Sequence, residues 1–404
     1  MRLPVAKVVW LALHADGSLS KRRVALVGVL SLLVAGIGAA LIYGGARGAE
    51  GGVSPRASLA GAWTRADPSQ PALSIPGRMS AIVAQPNLLA AGGDADGQAV
   101  VWTSVDGAVW KRTVLPDKGQ LHTQESINGI THDGGLFVAV GSQVRGGISR
   151  GAVWVSRDAS QWQGPLVVES VATLHAVAVT PFGLIAVGEA GRYETADAAV
   201  LLSGDEGVTW RKVNPPALRR PGRQAILAVA ATTNTIIAVG SDGGDGAAWT
   251  SPDGRSWSNS PARSSRAFRR EGAQILFAVA VASGTIVAAG VDDSRPAIWT
   301  RRASRPWQQT FPAAPQGVRA GALYAIGIDD EQVIAAGFAV DAGDPNAVVV
   351  SSNNMKHWVL HRSESFGGQG TQLIRALAQA NGALVAAGAD YREGPKATAW
   401  ISER

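Results

Sequence analysis

The residues with the clearest chemical potential in this sequence lie in the stretch Ser203-Gly-Asp-Glu-Gly-Val-Thr-Trp210. A carboxylate beside a hydroxyl can bind a metal ion or a ligand, but one carboxylate per turn is too few for Ca²⁺. The same residues suit a tight surface turn, because Asp205 can accept backbone N–H groups and Gly207 adopts angles that other residues avoid. Trp210 can fold back over the turn as an apolar cover. The stretch therefore predicts a structural turn between two strands.

Variations of this turn recur along the chain, each after a short apolar run. Most keep a serine, then an acidic or amide residue, then a tryptophan. The residues predicted to accept the backbone hydrogen bonds of these turns are Asp106, Asp158, Asp205, Asp253 and Asn353. The motifs resemble the Asp-box (BNR) repeat of sialidase-like β-propellers, and the resemblance covers most of the chain. It implies a fold but no activity, because one fold hosts many functions.

A second pattern gives the number of repeats. Seven apolar runs end in Ala-Ala-Gly or Ala-Val-Gly, and their terminal glycines, from Gly92 to Gly388, are 47 to 52 residues apart. Four short strands per unit of about 50 residues are typical of a propeller blade. The seventh unit ends before its fourth strand, and residues 61–67 resemble the missing one. We therefore predict an all-β, seven-bladed propeller over residues 58–404, in which this N-terminal strand pairs beside residues 397–401 and removes two sheet edges.

The N-terminal region predicts a membrane anchor. Residues 24–43 carry no charge, and a helix of that length crosses about 30 Å of hydrocarbon. Lys21, Arg22 and Arg23 precede the apolar run, so the positive-inside rule leaves residues 1–23 in the cytoplasm and the propeller outside. Residues 44–57 predict a flexible linker. A cleaved export signal, with secretion of the propeller, is the alternative.

Two predicted inter-blade loops on one face of the propeller are rich in arginine. They connect the third, fourth and fifth units. Two interpretations are open: a solvated rim of mixed charge, or a docking surface for an acidic protein, an anionic glycan or a lipid head group. The members of this predicted basic patch are Arg219, Arg220, Arg223, Arg263, Arg266, Arg269 and Arg270.

The first strand of each blade begins near the mouth of the central channel, and one residue per strand is a candidate for lining it. One side of this set is polar and the other apolar, which suits either ordinary channel lining or a small pocket for a peptide end or a sugar. In blade order the candidates are Ser80, Asn128, His175, Leu227, Phe277, Tyr324 and Arg375.

The resemblance to sialidases also implies what such a catalyst requires. It needs an arginine triad for the substrate carboxylate, a tyrosine nucleophile paired with a glutamate, an acidic aspartate and an Arg-Ile-Pro stretch. No Arg-Ile-Pro occurs, and the six histidines show no metal-ligand spacing. We therefore expect no enzymatic activity, no metal and no cofactor. A sialidase-like or other glycan-processing hydrolase is the alternative.

The composition limits the remaining classes of function. The 404 residues are 46% hydrophobic and include no cysteine, so a large core is available and disulfide or thiolate chemistry is not. The formal net charge of +6 is modest, and the basic residues are not interleaved with aromatics, which argues against nucleic acid as a partner. We expect a membrane-anchored, extracytoplasmic, non-enzymatic module that binds a protein partner or an anionic cell-envelope ligand.

Overall fold

The computed structural model describes residues 63–117, 123–259, 266–268, 272–302, 305–314, 317–329, 332–341, 343–368 and 370–402. Within these ranges, short 3₁₀ turns apart, the regular elements are 28 β-strands that form seven four-stranded sheets. Neighbouring strands are antiparallel and mostly joined by short turns, as the alternation of apolar runs and turn residues predicts. The predicted all-β fold with seven blades is confirmed.

The first four blades follow one another along the chain. Their strands are β2 (Gly77–Gln85), β3 (Leu88–Ala95), β4 (Gln98–Ser104) and β5 (Lys111–Val114) in blade 1; β6 (Thr123–Asp133), β7 (Leu136–Arg145), β8 (Ile148–Ser156) and β9 (Trp162–Val168) in blade 2; β10 (Thr173–Thr180), β11 (Gly183–Ala190), β12 (Asp197–Ser203) and β13 (Arg211–Val213) in blade 3; and β14 (Gln224–Ala231), β15 (Ile236–Asp242), β16 (Asp245–Ser251) and β17 (Ser258–Asn259) in blade 4.

The last three blades repeat the plan, except that blade 7 draws its outer strand from the N-terminal side. Their strands are β18 (Gln274–Ala282), β19 (Thr285–Asp292), β20 (Arg295–Arg302) and β21 (Gln308–Thr310) in blade 5; β22 (Ala320–Asp329), β23 (Gln332–Val340), β24 (Asn346–Ser352) and β25 (Val359–His361) in blade 6; and β26 (Gln372–Ala380), β27 (Ala383–Asp390), β28 (Lys396–Ser402) and β1 (Trp63–Arg65) in blade 7. The 3₁₀ turns span Tyr193–Thr195, Pro216–Leu218, Arg266–Phe268 and Glu364–Phe366.

Strand β1 closes the ring of blades. It runs antiparallel to β28, with Trp63 opposite Ser402 and Arg65 opposite Trp400. Trp63 is buried, with its ring centroid 5.3 Å from that of Phe366. The pairing covers the outer edge of β28, which would otherwise be exposed. The predicted closure by an N-terminal strand is confirmed.

The first strand of each blade lies at the centre, and each of the seven contacts the next in a closed cycle. Every one of these inner strands contains a single bulge, where the register against the second strand slips by one residue. A bulge leaves one residue unpaired and re-aims its side chain. The inner strands therefore present one redirected side chain per blade.

A glycine on the second strand makes room for each bulge. It lies opposite the residue before the bulge, and a Cβ built on it would lie between 1.8 and 2.0 Å from a carbonyl oxygen of the inner strand. This contact explains the glycine that recurs in every repeat. In blade 1 the glycine in this position is Gly93, whose Cβ would lie 1.9 Å from the carbonyl oxygen of Arg78. The repeat pattern assigned Gly92 as the recurring glycine of blade 1, which is wrong by one residue. Gly92 is instead packed against Ile127 of blade 2.

The core lies between neighbouring blades, where the third-strand tryptophans pack. Four of them donate the indole N–H to a carbonyl of the segment that enters the same blade, so each large ring is buried with its polar group satisfied. These pairs are Trp102 with Ala72, Trp249 with Ala217, Trp299 with Ala267 and Trp400 with Ser365, at 2.8 to 3.1 Å.

The predicted basic segment 1–23, anchor 24–43 and linker 44–57 lie outside the described residues. In the part of the chain that the structure describes, no helix has the length and apolar character needed to cross a membrane.

Candidate functional site

Seven side chains, one from each blade, form a ring around the axis. Each is the bulge residue of its inner strand, and each is buried. Sequence analysis selected the same seven residues as candidates for lining the mouth, and the structure shows that they share one structural position. This bulge ring consists of Ser80, Asn128, His175, Leu227, Phe277, Tyr324 and Arg375.

Several members of the bulge ring interact with the adjacent blade. The ring centroids of Phe277 and Tyr324 are 4.9 Å apart, and the guanidinium carbon of Arg375 lies 5.6 Å from the Tyr324 ring. Asn128 donates its side-chain N–H to the carbonyl of Leu174 in the next blade at 2.8 Å. The bulge ring is therefore linked from blade to blade in these two regions.

The bulge ring divides into two arcs. Leu227 of blade 4 and Phe277 of blade 5 are its two purely apolar members. The other members come from blades 6, 7, 1, 2 and 3, which are consecutive around the ring. Polar and apolar side chains are thus segregated, as the sequence order predicts.

Arg375 is a buried cation without a carboxylate partner among the described residues. It is 3% exposed, and its Nε has no hydrogen-bond partner. Burial raises the pKa of the neighbouring Tyr324 to about 12, so the phenol stays protonated at neutral pH. A buried guanidinium with an unsatisfied N–H costs free energy, which an oxyanion bonded to it would offset.

Arg78 and Tyr391 lie beside this pair. Arg78 Nε donates to Asp94 at 2.6 Å, and the Asp94 charge, helped by Tyr391, raises the pKa of Arg78. Tyr391 also lies near enough to Tyr324 to add to the effect of burial on the pKa of that phenol. Arg78, Tyr324, Tyr391 and Arg375 are here termed the Arg375 cluster. Sequence analysis missed Arg78, although it lies two residues before Ser80.

A second group of polar residues lies at blades 3 and 4. His175 Nε2 is 3.8 Å from Glu189 Oε1, and Arg223 donates to Glu189 Oε2 at 2.6 Å. The guanidinium carbon of Arg223 lies 4.3 Å from the centroid of the Tyr193 ring. Neither ring nitrogen of His175 has a hydrogen-bond partner. His175, Glu189, Tyr193 and Arg223 are here termed the Glu189 cluster.

Charge in the Glu189 cluster is internally balanced. Burial by itself would raise the pKa of Glu189, but His175 and Arg223 together hold it below its usual range. Burial raises the pKa of Tyr193, and the Glu189 charge adds to this while Arg223 opposes it. Glu189 is therefore ionised at neutral pH and neutralises the Arg223 guanidinium.

The structure describes the side chains of three arginines of the predicted basic patch. Arg223 pairs with Glu189, and Arg220 lies 3.3 Å from Asp242. Arg219 is exposed. Two of these three arginines thus form ion pairs within the propeller. Arg263, Arg269, Arg270 and the side chain of Arg266 lie outside the described residues.

Six blades carry a carboxylate near the top of the inner two strands, and each is paired with an arginine or a glutamine by a hydrogen bond or an ion pair. In blade 6 the two residues after the glycine are Phe338 and Ala339 instead. The six are Asp94, Glu125, Glu189, Asp242, Asp292 and Asp390.

The turns identified in the sequence lie between the third and fourth strands. In the first, Asp106 Oδ1 accepts the N–H groups of Ala108 and Val109, and the Trp110 indole donates to the Gly107 carbonyl at 2.7 Å. Asp158, Asp205 and Asp253 accept equivalent bonds. The backbone donors lower the pKa of Asp158 to about 2.

In the turn of blade 6, the predicted acceptor of the backbone hydrogen bonds is wrong by one residue. Asn354, not Asn353, accepts the N–H groups of Lys356 and His357, each at 2.9 Å, and the serine of this turn is Ser352. The turn thus has the shorter spacing of the other copies. Two consecutive serines and two consecutive asparagines allow either register in the sequence. The backbone selects the one in which Trp358 is buried.

Comparisons with known proteins support the fold. No family model and no curated protein matches the chain. Among solved structures, Trypanosoma rangeli sialidase in complex with sialic acid is 11% identical with a TM-score of 0.53, over 86% of this chain and 60% of that one. The same sialidase as a covalent intermediate with 2,3-difluorosialic acid is 13% identical with a TM-score of 0.53, over 86% and 59%.

A third structure of Trypanosoma rangeli sialidase is 11% identical with a TM-score of 0.51, over 81% of this chain and 54% of that one. The chain therefore spans little more than half the length of these neighbours. Likeness at such identity shows a shared fold. It also corrects the prediction that the chain is not an enzyme, because these structural neighbours are hydrolases and the fold points away from that exclusion.

Proposed function

We propose that this chain is a membrane-tethered, extracytoplasmic propeller that binds an oxyanion of a protein or cell-envelope ligand at the mouth of its central channel. The apolar run of residues 24–43 after three basic residues supports the tether. The serine, aspartate and tryptophan bonds of the turns support kinship with the Asp-box propellers. The bulge ring, which brings seven side chains to one level of the propeller, supports binding at the mouth.

The observation that carries the proposal is the unpaired Arg375. At the mouth, Arg78, Arg220 and Arg223 each have a carboxylate partner. Arg375 has none in the described residues, and its Nε is buried without a bond. A charge-assisted bond to a guanidinium is stronger than a neutral one, so a ligand oxyanion is the natural complement.

The test measures oxyanion binding directly. Acetate, inorganic phosphate and N-acetylneuraminate are titrated into the full chain in detergent, with calorimetry as the readout. Arg375→Met should abolish binding, whereas Arg157→Met, which changes an exposed arginine in the blade 2 turn, should leave it unchanged. Equal binding by the wild type and Arg375→Met, or no binding of any probe by the wild type, would refute the site.

The tether is tested separately in cells. We expect the full chain in the membrane fraction, with the propeller accessible to external protease in intact cells. Deletion of residues 1–43 should move the propeller to the soluble fraction. Release of a shortened wild-type propeller from the membrane would instead support the cleaved export signal.

Glycan hydrolysis is a second candidate, favoured by the Glu189 cluster. This cluster places a tyrosine, a glutamate and an arginine together at the mouth. A fluorogenic sialoside tests it, with Tyr193→Phe as the variant expected to abolish turnover. Turnover unaffected by this change would assign the activity elsewhere.

A further inference from the structure

Blade 6 interrupts the pattern of the mouth. Where the other blades carry a carboxylate within two residues of the bulge glycine or across from it, blade 6 has Phe338 and Ala339, both buried. Four partly exposed residues from blades 5, 6 and 7 are here termed the apolar notch: Ile275, Val318, Val340 and Tyr391.

The apolar notch packs on the same core cluster as the aromatic members of the bulge ring. All four of its residues pack on one core cluster that contains Phe277, Tyr324 and Phe338. The ring centroids of Tyr324 and Phe338 are 5.9 Å apart. Tyr324 also contacts Arg375, so it lies between Phe338 of the core cluster and the unpaired guanidinium.

Nearby acidic side chains are already engaged. Asp341, the residue after Val340, accepts a bond from Arg362 at 3.0 Å. Asp344 accepts the Gly370 N–H at 2.7 Å, and Asp292 accepts a bond from Gln309 at 2.8 Å. Arg319 is exposed beside the apolar notch, where its N–H donates to the Val340 carbonyl. The exposed Arg319 therefore adds a positive charge beside the apolar notch.

We infer that the ligand of this mouth is the free C-terminus of a protein chain that ends in a large apolar residue. Its carboxylate bonds to Arg375, and its last side chain covers the apolar notch. The inference rests on the proposed oxyanion site and specifies its ligand. In a C-terminal residue the carboxylate and the side chain are attached to the same Cα. Such a residue can therefore reach a cation and an apolar surface that lie on either side of one tyrosine.

A polyhydroxylated sugar fits this side of the mouth less well. Each sugar hydroxyl buried there would need a hydrogen-bond partner, whereas the apolar notch offers aliphatic groups and a single phenol. The polar members of the bulge ring, Asn128 and His175, lie on blades 2 and 3. An aliphatic or aromatic side chain instead gains free energy by covering apolar surface.

The test compares four small probes on the full chain in detergent by calorimetry. They are N-acetyl-Gly-Phe, its C-terminal amide, N-acetyl-Gly-Gly and galacturonate. N-acetyl-Gly-Phe should bind at least tenfold more tightly than N-acetyl-Gly-Gly, and the amide should lose binding because it lacks the charge. Val340→Asp should weaken N-acetyl-Gly-Phe at least tenfold, because it places a carboxylate in the apolar notch. The matched control Val208→Asp, an exposed position in the blade 3 turn, should have no effect.

The outcomes separate this inference from the proposed function. Equal affinity for N-acetyl-Gly-Phe and N-acetyl-Gly-Gly, with binding lost in Arg375→Met, would overturn the C-terminus and leave the oxyanion site standing. Tightest binding of galacturonate would overturn it in favour of a glycan. Absence of binding by every probe, together with no response to acetate or phosphate, would overturn both.

Discussion

The two polar clusters at the mouth combine an arginine with a tyrosine in different electrostatic settings. Arg223 lies 4.3 Å from the Tyr193 ring and bonds to Glu189, whereas Arg375 lies 5.6 Å from the Tyr324 ring and has no acidic partner in the described residues. The blade repeat thus yields a neutralised cation in one place and an unneutralised one in another. In blade 3 the residue after the bulge glycine is Glu189, whereas in blade 7 it is Ala389, and this difference separates the two settings.

The largest expected effect comes from replacing the glycine that accommodates the bulge, in blade 3 or in blade 7. Gly188→Ala and Gly388→Ala would place a Cβ 2.0 and 1.8 Å from a carbonyl oxygen, and each should lower the free energy of unfolding by about 3 kcal/mol. Gly388→Ala should also lose oxyanion binding, while Gly188→Ala should keep it. Denaturant unfolding and calorimetry measure the two effects. Gly204→Ala, whose Cβ would meet nothing within 4 Å, is the control; equal stability of all three variants would contradict the role of the bulge.

Glu189→Gln should turn the Glu189 cluster into a second unneutralised site. It leaves Arg223 without a charge partner, and because Arg223 remains partly exposed we expect a loss of about 2 kcal/mol in stability. The stoichiometry of acetate binding should rise from one to two. Unchanged stability and stoichiometry would show that Glu189 does not control the charge of this cluster.

Ala389→Glu should make the converse change. Ala389 follows the bulge glycine of blade 7, as Glu189 follows that of blade 3. A carboxylate there should pair with Arg375 and weaken acetate binding at least tenfold, which is about 1.4 kcal/mol. Ala389→Gln has the same shape without the charge and should retain most of the affinity. Equal loss in both variants would mean that packing, rather than charge, controls binding.

Lowering the pH should remove a stabilising contribution of the Glu189 cluster but none of the Arg375 cluster. The pKa of Glu189 is lowered in the folded state, so its contribution is present above the unfolded value of about 4.3 and is lost as the pH falls through the folded value. Thermal unfolding between pH 7 and pH 3 measures this loss. Glu189→Gln should reduce the acid dependence, and Arg375→Met should leave it unchanged. Parallel curves for the wild type and Glu189→Gln would contradict the assignment.

The smallest effect is expected far from both clusters and gives the baseline for the comparison. Asn354→Ala should lower stability by about 1 kcal/mol, because two backbone N–H groups lose their acceptor. Asn353→Ala should be neutral, and neither change should alter binding at the mouth. A larger loss from Asn353→Ala would contradict the register of this turn.

The repeat pattern predicts the fold well because each blade is a local object. Hairpin turns, apolar runs and the recurring glycine are all encoded within about 50 residues, and the closing strand is recognisable by its likeness to other fourth strands. The one-residue errors at Gly92 and Asn353 have a common origin. Each lies in a doubled sequence, Gly-Gly or Asn-Asn, where only strand pairing selects the register.

The candidate site was predictable in its members but not in its electrostatics. Sequence position identified the seven side chains of the bulge ring, whereas the bulge itself depends on register between two strands. The Glu189–Arg223 bond joins residues 34 positions apart in two blades, so no local pattern reveals it. The prediction of no enzymatic activity was based on missing local motifs. Such motifs cannot reveal side chains that come together from different blades.

The short closing strand has a mechanical consequence. β1 pairs with β28 through three residues, whereas the other blades gain their outer strands by direct chain continuation. Tension applied to the chain ahead of Trp63 would load this seam before any other. A pulling force transmitted through the N-terminal segment would then act first on blade 7, the blade that carries Arg375.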